Sequence, residues 1–152
     1  QLVSSIAAIA NKGVLLRPYL VKEAIDASGR VVYKGGKNIV RSVVSPITAS
    51  WVKDAMREVV TDGTGKSADS KMVEIAGKTG TAEVAGKGSY VEGKWVSSFV
   101  GFWPFNSPKF AMIVDIGEPT KGKYYGSEVA APVFKKIVEE VIKIDIIREK
   151  YL

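Results

Sequence analysis

Three stretches that favour extended backbone, 73–84, 95–103 and 110–117, follow one another closely, and an apolar pattern of helical period closes the series. The spacers, 85–93 and 104–109, are polar or proline-bearing and short enough for hairpins, so an antiparallel meander is the economical arrangement. The closing helix is expected over 127–144, with Val129, Val133, Phe134, Ile137, Val138, Val141 and Ile142 as an inner stripe packing on the meander. Residues 145–152 read as a last helical turn or a frayed tail.

Upstream, Leu2, Val3, Ile6, Ile9 and Ala10 share a helical face that stops at Asn11, Lys12 and Gly13. Two short β-rich stretches, 19–25 and 30–33, are joined by turn formers from Asp26 to Gly29 and predict a hairpin. A glycine-bearing loop and a brief extended stretch, 39–44, come next. Ser45 and Pro46 form an N-cap and first-turn pair for a helix carrying Ile47, Trp51, Val52, Ala55, Met56, Val59 and Val60 and ending before Gly63. The chain opens on Gln1 instead of Met and its first helix has no visible N-cap, which raises the expectation that it is a piece of something longer.

Composition limits the chemistry. With neither cysteine nor histidine, the chain has no thiolate nucleophile, no imidazole base and no zinc ligand set, so no metal or cofactor is expected and any catalysis runs on serine, lysine or carboxylates. The net charge of +6 permits anionic partners, but cations and acids are interleaved without a run of like charge, which argues against nucleic acid. No apolar run reaches the ~20 residues that span a bilayer.

Several short strings imitate known motifs. Gly65, Lys66 and Ser67 resemble the end of a P-loop, yet Val60 stands where its first glycine belongs and the lysine follows a helix. Lys78 to Thr81 resemble the phosphorylation loop of cation pumps, but Gly77 replaces the aspartate that would be phosphorylated. Ser50 and Lys53 have the spacing of a serine acyl-enzyme pair, yet they lie in mid-helix beside an apolar face, where a solvated surface is the simpler reading. What remains is Lys78, Thr79, Gly80 and Thr81 as the edge of a substrate cleft. Adjacent strand residues point to opposite faces, so a bulge or twist is expected if the ammonium and the hydroxyl are to serve one anion, and Gly77 and Gly80 leave room for a peptide to pair with the strand.

Residues 62–65, 76–83, 95–104 and 125–134, in that order, together with the opening helix, resemble class B penicillin-binding proteins over nearly the whole chain. The resemblance implies an α/β fold of the α+β type, an antiparallel sheet led by the Lys78 strand and covered by the first and last helices. It implies a peptidoglycan D,D-transpeptidase that works through a serine acyl-enzyme and binds stem peptides and β-lactams. Lys78 and Thr79 would bind the terminal carboxylate, the Thr81 N–H would form half of an oxyanion hole, and the Thr81 side chain would face the substrate. The nucleophilic serine with its lysine, and the serine, residue, asparagine motif, stand at no credible position here and belong before Gln1 by the family's order. The parent is therefore expected on the extracytoplasmic face of the bacterial membrane, held by an N-terminal helix, with this chain inactive alone. It would associate with the missing part of its domain or with itself through an open edge at 110–117. The alternatives are a β-lactam sensor or class D-like β-lactamase, and a non-catalytic peptidoglycan-binding module.

Overall fold

The computed structural model describes the backbone of residues 1–86 and 88–151, and side chains as far as Asp145. The order is α1 (Leu2–Ala10), β1 (Val14–Leu16), β2 (Glu23–Ile25), β3 (Val31–Lys34), β4 (Ile39–Ser42), α2 (Pro46–Thr61), a 3-10 turn (Lys66–Ala68), β5 (Ala76–Ala85), β6 (Tyr90–Trp103), β7 (Phe110–Gly117) and α3 (Gly126–Tyr151). The strands β5, β6 and β7 form the expected antiparallel meander in that spatial order, so among the described residues β5 and β7 are both edge strands.

Side chains alternate across this sheet and create two cores. On one face Phe99 and Trp103 of β6 meet Phe134 of α3 edge-on, with ring centroids 4.8 and 5.7 Å apart. Ala130, Ala131 and Val138 complete the α3 side, and Val60 enters from α2. On the other face Phe102, Ala76 and Ala111 pack against Ile6, Ile9 and Ala10 of α1 and Met56 of α2. Aromatic rings of this size, fully buried, carry roughly 3–5 kcal/mol each against truncation to alanine.

The helix α2 starts as its sequence dictates: Ser45 Oγ accepts the Thr48 N–H at 3.0 Å and Pro46 occupies the first turn. Its apolar face is only partly used. Ala49, Met56 and Val60 are buried, whereas Ile47 and Trp51 are 65% and 70% exposed. The inner stripe of α3 is likewise narrower than its periodicity suggests, because the small residues Ala130 and Ala131 seat the helix while Val133 and Ile137 stay exposed. Arg57 ties α2 to the lead into β5, donating to the Ile75 carbonyl at 2.7 Å and to Asp69 at 3.1 Å. That lead is irregular, so β5 begins at Ala76 and not at residue 73.

Between α1 and α2 lies a lobe of two small sheets, β1 with β4 and β2 with β3. The predicted hairpin is β2–β3, its turn held by the Asp26 carboxylate, which accepts from the Ser28 N–H, the Arg30 N–H and the Ser28 hydroxyl. The strand β1 was not expected: three residues after a helix stop carry no periodicity, and its partners in β4 lie 23 to 28 positions along the chain.

Candidate functional site

The strand β5 presents Lys78 to Thr81 on an open edge of the sheet. Ala76 to Glu83 run in unbroken register against Phe102 to Trp95, and the irregularity comes only between Glu83 and Ala85. Of the bulge or twist expected at Lys78, the bulge is therefore absent. None is needed, because the four-carbon stem of Lys78 carries its ammonium around the strand edge to 2.9 Å from the Thr79 carbonyl and 3.4 Å from Thr79 Oγ1. Lys78 is exposed and Thr79 half-buried, so cation and hydroxyl meet where solvent or a ligand reaches both.

This contact also fixes which backbone groups face outward. A Thr79 carbonyl that takes the Lys78 ammonium points away from β6, and in an antiparallel ladder outward and inward residues alternate. Gly80 and Ser98 are then the inward pair, and the N–H of Thr81, like that of Thr79, faces the open edge. The glycines also have a packing task. The space a Cβ would take at Gly77 is filled by the Phe99 ring, and that at Gly80 by the Ser98 hydroxyl, so both glycines serve packing within the sheet.

Three contacts brace the strand from its α3 side. Thr64, just past α2, places its Oγ1 2.8 Å from Thr79 Oγ1. The Gly126 N–H at the start of α3 donates to Thr81 Oγ1 at 3.0 Å. The Thr81 side chain, expected to face the substrate, is thus held from the helix end, and its own O–H remains the group it can donate. Gly126 is buried, and any Cβ there would strike the carbonyl oxygens of Gly80 and Ser98, so glycine alone lets the helix come this close. Buried Ser97, opposite Thr81, donates to the Tyr124 carbonyl and pins the turn into α3.

Beyond Thr81 the edge runs into an aromatic stack. Trp95 lies 4.6 Å from Tyr124, ring centre to ring centre, and Tyr124 lies 4.4 Å from Tyr125. Tyr124 donates its hydroxyl proton to Tyr125, and that bond holds the Tyr124 phenol above its ordinary pKa.

The Ser50 with Lys53 pair and the Gly65 to Ser67 string are engaged otherwise. Lys53 sits over the Phe105 ring at 5.1 Å, and among the described residues no hydrogen bond joins it to Ser50. Lys66 pairs with Asp62, and Ser67 donates to the Ser127 carbonyl, so the glycine, lysine, serine string staples α2 to α3. Sequence reasoning found Lys78 to Thr81 but gave no role to Thr64, Ser97 or Gly126. Each of the three lies inside or beside a stretch that carried the family resemblance, which is the signal that could have found them.

Residues 1–139 match the penicillin binding protein transpeptidase domain family. Stage V sporulation protein D of Bacillus subtilis is 33% identical over 141 residues, covering 92% of this chain and 22% of that protein. The probable peptidoglycan D,D-transpeptidase PenA of Neisseria gonorrhoeae is 34% identical over 139 residues, covering 91% of this chain and 22% of that protein. Among solved structures, penicillin binding protein 3 of Mycobacterium tuberculosis complexed with ampicillin superposes with a TM-score of 0.82 at 27% identity, over 94% of this chain and 34% of that one. The chain thus spans about a fifth of the length of the curated relatives it matches. On the match over residues 1–139, with the overall fold shared with that solved structure, the chain belongs to the penicillin-binding protein transpeptidase domain family.

Proposed function

We propose that this chain is the C-terminal portion of a transpeptidase domain and supplies the substrate-binding strand of a peptidoglycan D,D-transpeptidase. The observation that carries the reading is the meeting of the Lys78 ammonium, the Thr79 hydroxyl and the outward Thr81 N–H on one unpaired strand edge. An extended stem peptide adds to such an edge by backbone pairing. Lys78 and Thr79 take its terminal carboxylate through charge-assisted hydrogen bonds, and the Thr81 hydroxyl, fixed from Gly126, adds a further donor.

The acylated serine comes from chain outside residues 1–152. Its Oγ attacks the carbonyl of the peptide bond before the terminal residue, and the Thr81 N–H stabilises the oxyanion that develops before the terminal amine leaves. A β-lactam enters the same way, because its carboxylate and strained amide present the same two groups, and one relative in structure is complexed with ampicillin. The outer edge of β7 receives a strand from the same outside chain, or from a second copy. The parent works at the extracytoplasmic face of the bacterial membrane, held by a segment outside these residues; among the described residues no helix is long and apolar enough to cross a membrane.

The test is fluorescent-penicillin labelling of two proteins, this chain alone and a longer one that includes the sequence preceding it. The reading expects covalent label on the longer protein and none on the chain alone. Label on the isolated chain, above all at Ser50, would overturn it.

A further inference from the structure

The positive charge is unevenly placed in the fold. From Lys12 to Arg41 seven cations face two acids, Glu23 and Asp26, so this stretch holds five of the chain's six net positive charges. It is also the lobe of β1–β4, which packs little: every side chain of β3 and of β4 is exposed. Where β1 ends and the β2–β3 hairpin returns, Arg17, Lys34 and Lys37 line one open cleft of about 590 Å³ together with Tyr19 and Tyr33. No acid lines it. Among the described residues none of the three cations has an ion-pair partner, although Arg30 of the same lobe pairs with Asp26.

We infer that this cleft binds an oxyanion, phosphate or carboxylate, carried on a saccharide chain. Three unpaired cations around one concavity focus positive potential there, and a guanidinium presents two parallel donors to an oxyanion. The volume lies within the ~300–1,000 Å³ of ordinary small-ligand sites and is enough for a sugar with its charged group. Tyr19 and Tyr33 are about half exposed, and their ring faces can pack against the C–H face of a sugar while their hydroxyls hydrogen-bond. The Tyr19 ring is held in place: Gly35 donates its N–H to the Lys22 carbonyl at 2.8 Å, and a side chain at Gly35 would collide with that ring. Gly36, by contrast, has open space above it and lets a ligand reach the backbone.

A bilayer surface fits less well. Lipid contact needs cations and apolar side chains on one plane; Leu20 and Val21 are exposed in this lobe, but neither lines the cleft, where Ile39 is the one aliphatic side chain among the cations and tyrosines. The identification of the saccharide as cell-wall polymer rests on the transpeptidase reading; the cation cleft does not. Penicillin acylation of the longer protein, which depends on Lys78, is expected to be unchanged by substitutions in the cleft, so the two readings fail separately.

The test titrates the full chain, by NMR at low and high salt, with N-acetylglucosamine 1-phosphate and N-acetylmuramic acid, and with N-acetylglucosamine and inorganic phosphate as the neutral sugar and the bare anion. Lys34→Gln with Lys37→Gln removes two of the cations on exposed positions, and Lys71→Gln with Lys136→Gln removes the same charge elsewhere. The inference expects at least one charged sugar to bind more tightly than either control, shifting amides at Arg17 and from Lys34 to Ile39. It expects that binding to weaken about tenfold or more in the cleft variant and less than about twofold in the distant one. Which charged sugar binds identifies the oxyanion. Binding no stronger than inorganic phosphate, equal losses in both variants, or co-sedimentation with phosphatidylglycerol vesicles with no binding of either charged sugar would overturn it.

Discussion

The body of the molecule and the lobe between α1 and α2 are built from similar residues and end in opposite states. In the body, Phe99, Phe102 and Phe134 are fully buried and the sheet is clamped between α3 on one face and α1 with α2 on the other. In the lobe, Val31, Val32, Tyr33, Ile39 and Val40 are 48–67% exposed although they too lie in strands. A two-stranded sheet has no second layer to cover it, so β-propensity makes the strand without making a core. The body holds one strand edge steady for chemistry, and the lobe offers surface for contact.

The sharpest way to break this contrast is truncation of one residue in each region. Phe99→Ala is expected to cost about 3–5 kcal/mol in chemical denaturation, because it empties the space that Gly77 and Phe134 close around. Val32→Ala is expected to change stability by less than about 0.5 kcal/mol. Equal losses at the two positions would show that the lobe is packed as the body is. Next in size, Gly126→Ala forces a Cβ onto the Gly80 and Ser98 carbonyls and is expected to cost about 1–3 kcal/mol. The same change, with the N–H of residue 126 moved off Thr81, should slow penicillin acylation of the longer protein, while Gly36→Ala in the lobe, where the space is open, should do neither.

A finer comparison sits within the site strand. Because the Thr81 N–H faces outward, Thr81→Pro removes that donor without breaking the ladder to β6. Acylation is expected to fall about 10²–10³-fold, the usual loss for one oxyanion donor. Thr81→Ala keeps the N–H and is expected to lose far less, which separates the backbone donor from the side chain. The smallest effect belongs to the lobe. Asp26 has its pKa held below the ordinary 3.8, first by the Ser28 hydroxyl and then by the Arg30 N–H. A lowered folded pKa means a contribution fully present above the ordinary value and lost as pH falls from there through the lowered one. Amide protection at Ser28 and Arg30 should therefore fade below about pH 3.8 while that of β6 persists, and Asp26→Asn should flatten the response.

The comparison also explains what could be read from sequence. The pattern at Phe110 to Gly117 located β7 with its bounds, and Ser45 with Pro46 located the start of α2, because alternation and capping are local. Ile47 and Trp51 misled: periodicity finds an apolar face but not whether anything covers it. The short β1 escaped because its only signal is pairing with β4, which no local window contains. At the site, Lys78 to Thr81 were legible as a string, but the reach of the lysine around the edge, the filled space over Gly80 and the bond from Gly126 to Thr81 across 45 positions arise only when distant segments meet.

The claim on which the account turns is that the Lys78 ammonium and its neighbours grip the carboxylate end of an acyl donor. The direct measurement is the rate of penicillin acylation of the longer protein carrying Lys78→Ala, beside Lys53→Ala as a cation of the same kind placed over Phe105. Loss of charge-assisted bonds worth roughly 3 kcal/mol predicts a fall of about 10²-fold at Lys78, with Lys53→Ala within about twofold of the parent. A Lys78→Ala protein that acylates at the parent rate would contradict it.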